Sequence, residues 1–117
     1  MALRSKLSEK GDVLIVNIAG SLDDLSIDDF KIMLNEVMKT GKKKILLVMR
    51  DLTLISSSGI GSLLSFSKRV SGVEGVLKVA EVHSRTMEVF KMLRVESVLS
   101  FYDSTSEAME AFGENAP

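Results

Sequence analysis

Two kinds of hydrophobic pattern alternate along this chain of 117 residues, and the alternation limits its possible folds more than any other feature. Short runs of branched apolar residues, bounded by glycine or charged residues, are typical of buried strands. Such runs occur at residues 13–19, 44–49, 76–82 and 98–102. Residues 3–10 alternate weakly and precede Gly11 and Asp12, a turn pair that favours a hairpin. The sequence therefore predicts about five strands, with the first at a sheet edge and the one at 44–49 central.

Four segments between and after the strands have the 3.6-residue period of helices that bury one face. They are residues 27–40, residues 59–71, a segment opened by Ser84 and a segment opened by Ser104. We expect Ser26 to cap the first helix, and Ser104 with Glu107 has capping-box spacing. Because strands alternate with helices, we predict an α/β fold. It has a mostly parallel sheet of about five strands, an antiparallel edge strand and four helices.

Length and charge set further bounds on the class of protein. The length suits one globular domain, which we expect to span residues 1–112, followed by a flexible tail at 113–117. The 15 basic residues are offset by 16 acidic ones, which argues against direct nucleic-acid binding. The longest apolar run is far too short to cross a bilayer, and no export signal is recognisable. With cysteine absent as well, we expect a cytoplasmic protein without membrane insertion.

The segment from Asp51 to Leu64, DLTLISSSGIGSLL, lies where the central strand gives way to a helix. Open α/β sheets meet ligands and partners at the carboxyl ends of their strands. Three consecutive serines before Gly59 bring hydroxyl groups next to the free backbone N–H groups of a helix start, a place that suits a phosphate. The same pattern also fits serines that only cap the helix and glycines that only let the chain turn. The residues alone leave both interpretations open.

Catalytic and nucleotide-binding motifs are missing from this sequence. Gly59 and Gly61 are not followed by the third glycine of a GxGxxG fingerprint, because Leu64 stands there, and no GxxxxGK[ST] occurs. There is no GxSxG, and the only histidine, His83, is expected in a solvent-facing loop without an acid partner. We therefore predict a protein that is not an enzyme and has no cofactor or metal site.

The segment DLTLISSSGIGSLL resembles the signature of STAS domains, named for sulphate transporters and anti-sigma factor antagonists. Residues 20–23 are similar to the family's Gly-x-Leu-Asp turn, and the order of elements matches over nearly the whole chain. The resemblance implies a stand-alone anti-sigma factor antagonist. Such a protein binds an anti-sigma factor with serine-kinase activity, frees a sigma factor, is inactivated by phosphorylation and is restored by a serine phosphatase.

In antagonists of this family, the phosphorylated serine directly follows the motif aspartate, and this position maps onto Ser57. The chain departs from the pattern at Ser56, which stands where the best-studied antagonists carry aspartate. A serine can still cap the helix, but it changes the local charge. The alternative function is that of a soluble STAS subunit that binds a transporter or a lipid-trafficking complex without phosphorylation. A serine at position 57 favours the antagonist.

We expect the partner to dock on the exposed face and first turn of the second helix. The expected contact residues are Asp23, Ser56, Ser58, Gly59, Gly61, Ser62, Ser65 and Arg69, with Lys68 extending the surface. Asp23 is expected to orient the serine hydroxyl, to contact the partner, or only to stabilise its turn. The helix residues also fit an ordinary solvated face, so the pattern leaves this alternative open as well.

Overall fold

The computed structural model describes residues 3–113, whose elements follow the order that the hydrophobic pattern predicts. The strands are β1 (Arg4–Lys10), β2 (Val13–Leu22), β3 (Lys44–Ile55), β4 (Val76–Ala80) and β5 (Ser100–Tyr102). The helices are α1 (Ile27–Lys39), α2 (Ser57–Gly72), α3 (Ser84–Met92) and α4 (Thr105–Ala111). Of the tail predicted at 113–117, only Gly113 lies within the described residues.

The strands form one sheet in the order β1-β2-β3-β4-β5. β1 pairs antiparallel with β2, with Arg4 opposite Ala19 and Lys10 opposite Val13. The remaining neighbours pair in parallel. The predicted α/β fold, its antiparallel edge strand and the central place of β3 are therefore confirmed. Because β2 and β3 are parallel neighbours, the segments that follow them emerge side by side at one edge of the sheet.

Helices cover both faces of the sheet and create two cores. Alternate side chains of residues 45–49 in β3 point to opposite faces and are all buried, which explains their continuous apolar run. The larger core contains a fully buried phenylalanine from each of the first three helices: Phe30, Phe66 and Phe90. The smaller core contains three residues from the C-terminal helical segment: Ala108, Met109 and Phe112. Three helices thus cover one face and α4 covers the other.

Strand β3 extends six residues beyond the segment predicted at 44–49. In its second half, Leu52 and Ile55 are buried and the two residues between them are exposed. It remains paired with β2 through irregular register near Ala19 and Ser21. The apolar run ends at the charged Arg50, so composition alone could not show that pairing continues. The extension carries the chain directly to the serine segment.

The predicted side-chain cap of α1 by Ser26 is wrong, although Ser26 does precede the helix. The Ser26 hydroxyl donates to the Ser21 carbonyl at 2.7 Å and accepts the Asp23 N–H at 3.0 Å. The side chain is turned back toward the end of β2 and fixes the turn between β2 and α1. By contrast, Ser104 caps α4 as predicted, since its hydroxyl accepts the Glu107 N–H at 3.0 Å.

Candidate functional site

Ser56 forms the junction between β3 and α2. Its backbone is extended, and its hydroxyl accepts the N–H of Gly59 at 3.1 Å, which makes it the N-cap of α2. Its own N–H donates to the carbonyl of Leu22 at 2.8 Å. The expectation that serine can still cap this helix is confirmed, and the second contact ties the helix start to the end of β2.

Ser57 is the first residue of α2 and is exposed. Within residues 3–113, its hydroxyl has no hydrogen-bond partner. Because Ser56 already caps α2, the interpretation that Ser57 is the helix cap is wrong. Ser57 instead presents a free hydroxyl at the positive end of the helix dipole.

Ser58 is oriented by Asp24 rather than by Asp23. The Ser58 hydroxyl donates to Asp24 Oδ1 at 2.9 Å. The Asp23 carboxylate accepts the backbone N–H groups of Leu25 and Ser26 at 3.0 and 3.2 Å, so it stabilises its own turn. The contact between Asp24 and Ser58 could not be predicted from the sequence, because two adjacent aspartates in a turn give no sign of which side chain points outward.

Gly59 and Gly61 have opposite environments, although both were expected at the partner surface. Gly59 is buried, and a Cβ built on it would lie 2.7 Å from Cγ of Leu22 and 3.1 Å from Cγ1 of Ile55. The structure therefore assigns Gly59 to the packing of α2 on the sheet, and its expected place on the exposed surface is corrected. Gly61 is exposed, and a Cβ there would meet no atom within 4 Å.

Helices α1 and α2 lie side by side and leave an open groove of about 410 Å³. Five of the expected contact residues line it: Ser58, Gly61, Ser62, Ser65 and Arg69. The α1 side is formed by Lys31, Leu34 and Asn35, and Phe66 contributes from α2. Lys68 lies on a different surface, near Val98. The periodicity of α1 could show that Lys31 and Asn35 lie outside the core, but not which helix lies beside them.

A hydrogen bond joins α2 to the α1 side near each end of the groove, and Asp24 lies in the turn just before α1 rather than in the groove lining. Ser58 donates to Asp24 at one end, and at the other Nη1 of Arg69 donates to Oδ1 of Asn35 at 2.7 Å. Neither Arg69 nor Lys31 forms an ion pair within the described part of the chain. The groove is therefore acidic at one end and basic at the other.

A separate polar cluster surrounds Glu81, away from the groove. Arg50 donates two hydrogen bonds to its carboxylate, at 2.6 and 2.9 Å, and the hydroxyl and N–H of Thr105 donate two more. The hydrogen bonds from Arg50 and then Thr105 lower the pKa of Glu81 to about 2. The cluster joins β3, the end of β4 and the start of α4, so it is a structural element.

Among residues 3–113, no group of three or more His, Cys, Asp or Glu side chains is arranged to hold a metal ion. In the same part of the chain, no helix has the length and apolar character needed to cross a membrane. His83 is exposed as expected, and its Nε2 contacts the carbonyl of Arg50.

The sheet, the helix order and the serine-bearing start of α2 define a STAS-type domain. The model of the STAS domain family matches residues 4–108, and the chain belongs to this family. A Thermotoga neapolitana protein, named as a candidate anti-sigma factor antagonist, is 31% identical over 80 residues, which are 68% of this chain and 71% of that protein.

Three solved structures, of two proteins, show the same fold. The crystal structure of a candidate anti-sigma factor antagonist from Thermotoga maritima has a TM-score of 0.85 at 25% identity and covers 92% of both chains. The unphosphorylated form of the anti-sigma factor antagonist SpoIIAA has a TM-score of 0.68 at 19% identity, covering 94% of this chain and 96% of that one. The phosphorylated form of the same Bacillus protein has a TM-score of 0.68 at 16% identity, covering 93% of this chain and 99% of that one.

Proposed function

We propose that this chain is an anti-sigma factor antagonist that binds an anti-sigma factor with serine-kinase activity and is switched off by phosphorylation at Ser57. The observation that carries the proposal is the exposed, unbonded hydroxyl of Ser57 at the start of α2, beside the groove. Support also comes from the STAS family membership and from relatives named as anti-sigma factor antagonists. One structural relative, SpoIIAA, is known in a phosphorylated form.

The hydrogen bonds of the three serines favour Ser57 as the acceptor of phosphate. The hydroxyl of Ser56 accepts the N–H of Gly59, and the hydroxyl of Ser58 donates its proton to Asp24. A kinase acting on either would first have to break an existing bond. Ser57 needs no such rearrangement, because its hydroxyl has no partner within the described residues.

Phosphorylation at Ser57 would change the charge at the acidic end of the groove. A phosphate adds about −1.5 to −2 charge at neutral pH. Asp24 is already bonded to the neighbouring Ser58, so the added charge meets a like charge nearby. A partner seated on this end would have to desolvate both, which disfavours the complex. Removal of the phosphate by a serine phosphatase restores the neutral hydroxyl of Ser57, and we place the whole cycle in the cytoplasm.

Phosphate mapping tests the proposal. The full chain is incubated with ATP and an anti-sigma kinase from the same genome that has been shown to bind it, and tandem mass spectrometry locates the phosphate. We expect one phosphate, on Ser57. Phosphate on another residue would contradict the assignment. No phosphate with a proven partner kinase would favour the alternative, a STAS subunit that binds its complex without phosphorylation.

A further inference from the structure

The groove between α1 and α2 has a direction set by its two terminal hydrogen bonds. Asp24 with Ser58 and Asn35 with Arg69 are pairs of equal sequence separation, 34 residues in each case. The two helices run in the same direction because each returns from one parallel strand to the next. Ser58 and Arg69 are about three helical turns apart, roughly 16 Å at the helical rise of about 1.5 Å per residue.

The basic end of the groove presents hydrogen-bond donors without a counter-charge. Arg69 uses one N–H on the uncharged amide oxygen of Asn35, which leaves other guanidinium donors and the Asn35 amide N–H groups available. Lys31 lines the groove one turn before Asn35. Asp29 is the acid nearest to Lys31 in sequence but forms no ion pair with it, and Glu36, next to Asn35, has Oε1 3.4 Å from Nζ of Lys39. This arrangement matches a carboxylate, which accepts hydrogen bonds and carries the opposite charge.

The acidic end would repel the same group. Asp24 lies at that end, and Asp28 and Asp29 occupy the first turn of α1. A segment with an acidic side chain therefore fits the groove in one orientation, with its carboxylate toward Arg69 and away from Ser57.

We infer that the groove receives an acidic segment of the partner, whose carboxylate pairs with Lys31 and Arg69. The inference rests on the proposed function for the identity of the partner, an anti-sigma factor. It adds the chemistry of the docking segment and its direction along α2. The phosphate on Ser57 and the recognition of the acid by Arg69 thus act at opposite ends of one surface.

Titration with synthetic peptides tests the chemistry without the natural partner. The probe is an amphipathic peptide of about 20 residues, long enough to form a helix, with glutamates along its polar face. The control peptide has lysine at every glutamate position. The full chain, labelled with ¹⁵N, is titrated with each peptide. We expect amide shifts along the groove with the glutamate peptide and none there with the lysine peptide; equal shifts, or none with either peptide, would overturn the inference.

Charge reversal at the groove supplies the matched comparison. The double variant Lys31→Glu with Arg69→Glu should no longer bind the glutamate peptide and should bind the lysine peptide instead. The control double variant Arg85→Glu with Lys91→Glu carries the same charge change on exposed positions of α3, outside the groove. It should keep the wild-type preference. Equal loss in both double variants would mean that only net charge matters, and the groove would not be the site.

Titrations of the anti-sigma factor separate failure of this inference from failure of the proposed function. If the groove double variant loses affinity at least tenfold while Ser57→Asp binds normally, the acidic segment stands and the phosphorylation switch fails. If Ser57→Asp loses affinity while the groove double variant binds like wild type, the switch stands and the acidic segment is rejected.

Discussion

Gly59, in the first turn of α2, lies so close to Leu22 at the end of β2 that a Cβ on residue 59 would be 2.7 Å from Cγ of Leu22. Gly59→Ala must push α2 or Leu22 aside, because the other neighbour, Ile55, is also buried. We expect a loss of about 1 to 3 kcal/mol in the free energy of unfolding, measured by chemical denaturation. Gly72→Ala, where a Cβ meets nothing within 4 Å, is the control. Wild-type stability in Gly59→Ala would contradict this packing.

Gly61→Ala should separate stability from binding. A Cβ at residue 61 meets no atom within 4 Å. Because alanine has a higher helix propensity than glycine, the free energy of unfolding should rise by about 0.4 to 1 kcal/mol. The same methyl group projects into the groove, so the dissociation constant for the anti-sigma factor should rise severalfold. Gly72→Ala, at the far end of α2, should leave affinity unchanged. An unchanged dissociation constant in Gly61→Ala would place the docking surface elsewhere.

The ion pair of Arg50 and Glu81 predicts a specific dependence of stability on pH. The pKa of Glu81 is lowered from 4.5 to about 2 in the folded chain, so this contribution to stability is present above pH 4.5 and is lost as pH falls toward 2. Glu81→Gln should lower the melting temperature at pH 7 and flatten the decline between pH 5 and 2. Glu88→Gln, an exposed acid on α3, should keep the wild-type profile. Identical acid profiles for wild type and Glu81→Gln would refute this role.

Asp23 and Asp24 are adjacent but should respond differently to substitution. Asp23→Ala removes the acceptor for two backbone N–H groups in the turn, so stability should fall by about 1 kcal/mol. Asp24→Ala removes the 2.9 Å hydrogen bond of the Ser58 hydroxyl and leaves it only a long contact of 3.5 Å with the Ser56 hydroxyl, so the anti-sigma kinase should then phosphorylate Ser58 as well as Ser57. Thermal melts and phosphate mapping of both variants check this pair. Phosphate confined to Ser57 in Asp24→Ala would show that the hydrogen bond does not protect Ser58.

The order of elements and the sheet topology could be predicted because they depend on periodicity. The continuous apolar run at 45–49 signals burial on both faces, and the three-serine segment after it marks the carboxyl edge of the sheet. Ser57 and most of the expected α2 contacts could be proposed from the sequence because they lie in one continuous stretch that resembles a family signature.

The remaining features depend on contacts between distant segments. The Ser26 hydroxyl donates a hydrogen bond to the Ser21 carbonyl and does not cap its own helix. The local sequence does not indicate which of these two partners the hydroxyl takes. The burial of Gly59 depends on where Leu22 ends β2, and the role of Asn35 depends on α2 lying beside α1. Each of these requires tertiary packing, which overrides local preference.

Ser57→Asp is the sharpest test of the proposed switch because the cap of α2 is a different residue. Ser56 keeps its bond to the N–H of Gly59 in this variant, and aspartate at the first helical position favours the positive end of the helix dipole. The variant should therefore fold with a melting temperature within a few degrees of wild type. Its fixed negative charge at the acidic end of the groove should still weaken the complex. An unpaired charge at an interface costs about 2 to 5 kcal/mol, and about 1.4 kcal/mol is a tenfold change in affinity.

Calorimetric titration against the anti-sigma factor should therefore show at least a tenfold higher dissociation constant for Ser57→Asp. Ser84→Asp is the matched control, since Ser84 is exposed and is also the first residue of its helix, α3. It should bind like wild type. Ser57→Ala should bind as well but resist inactivation by kinase and ATP. With melting temperatures near that of wild type in all three variants, wild-type affinity in Ser57→Asp would mean that charge at this position does not control the complex.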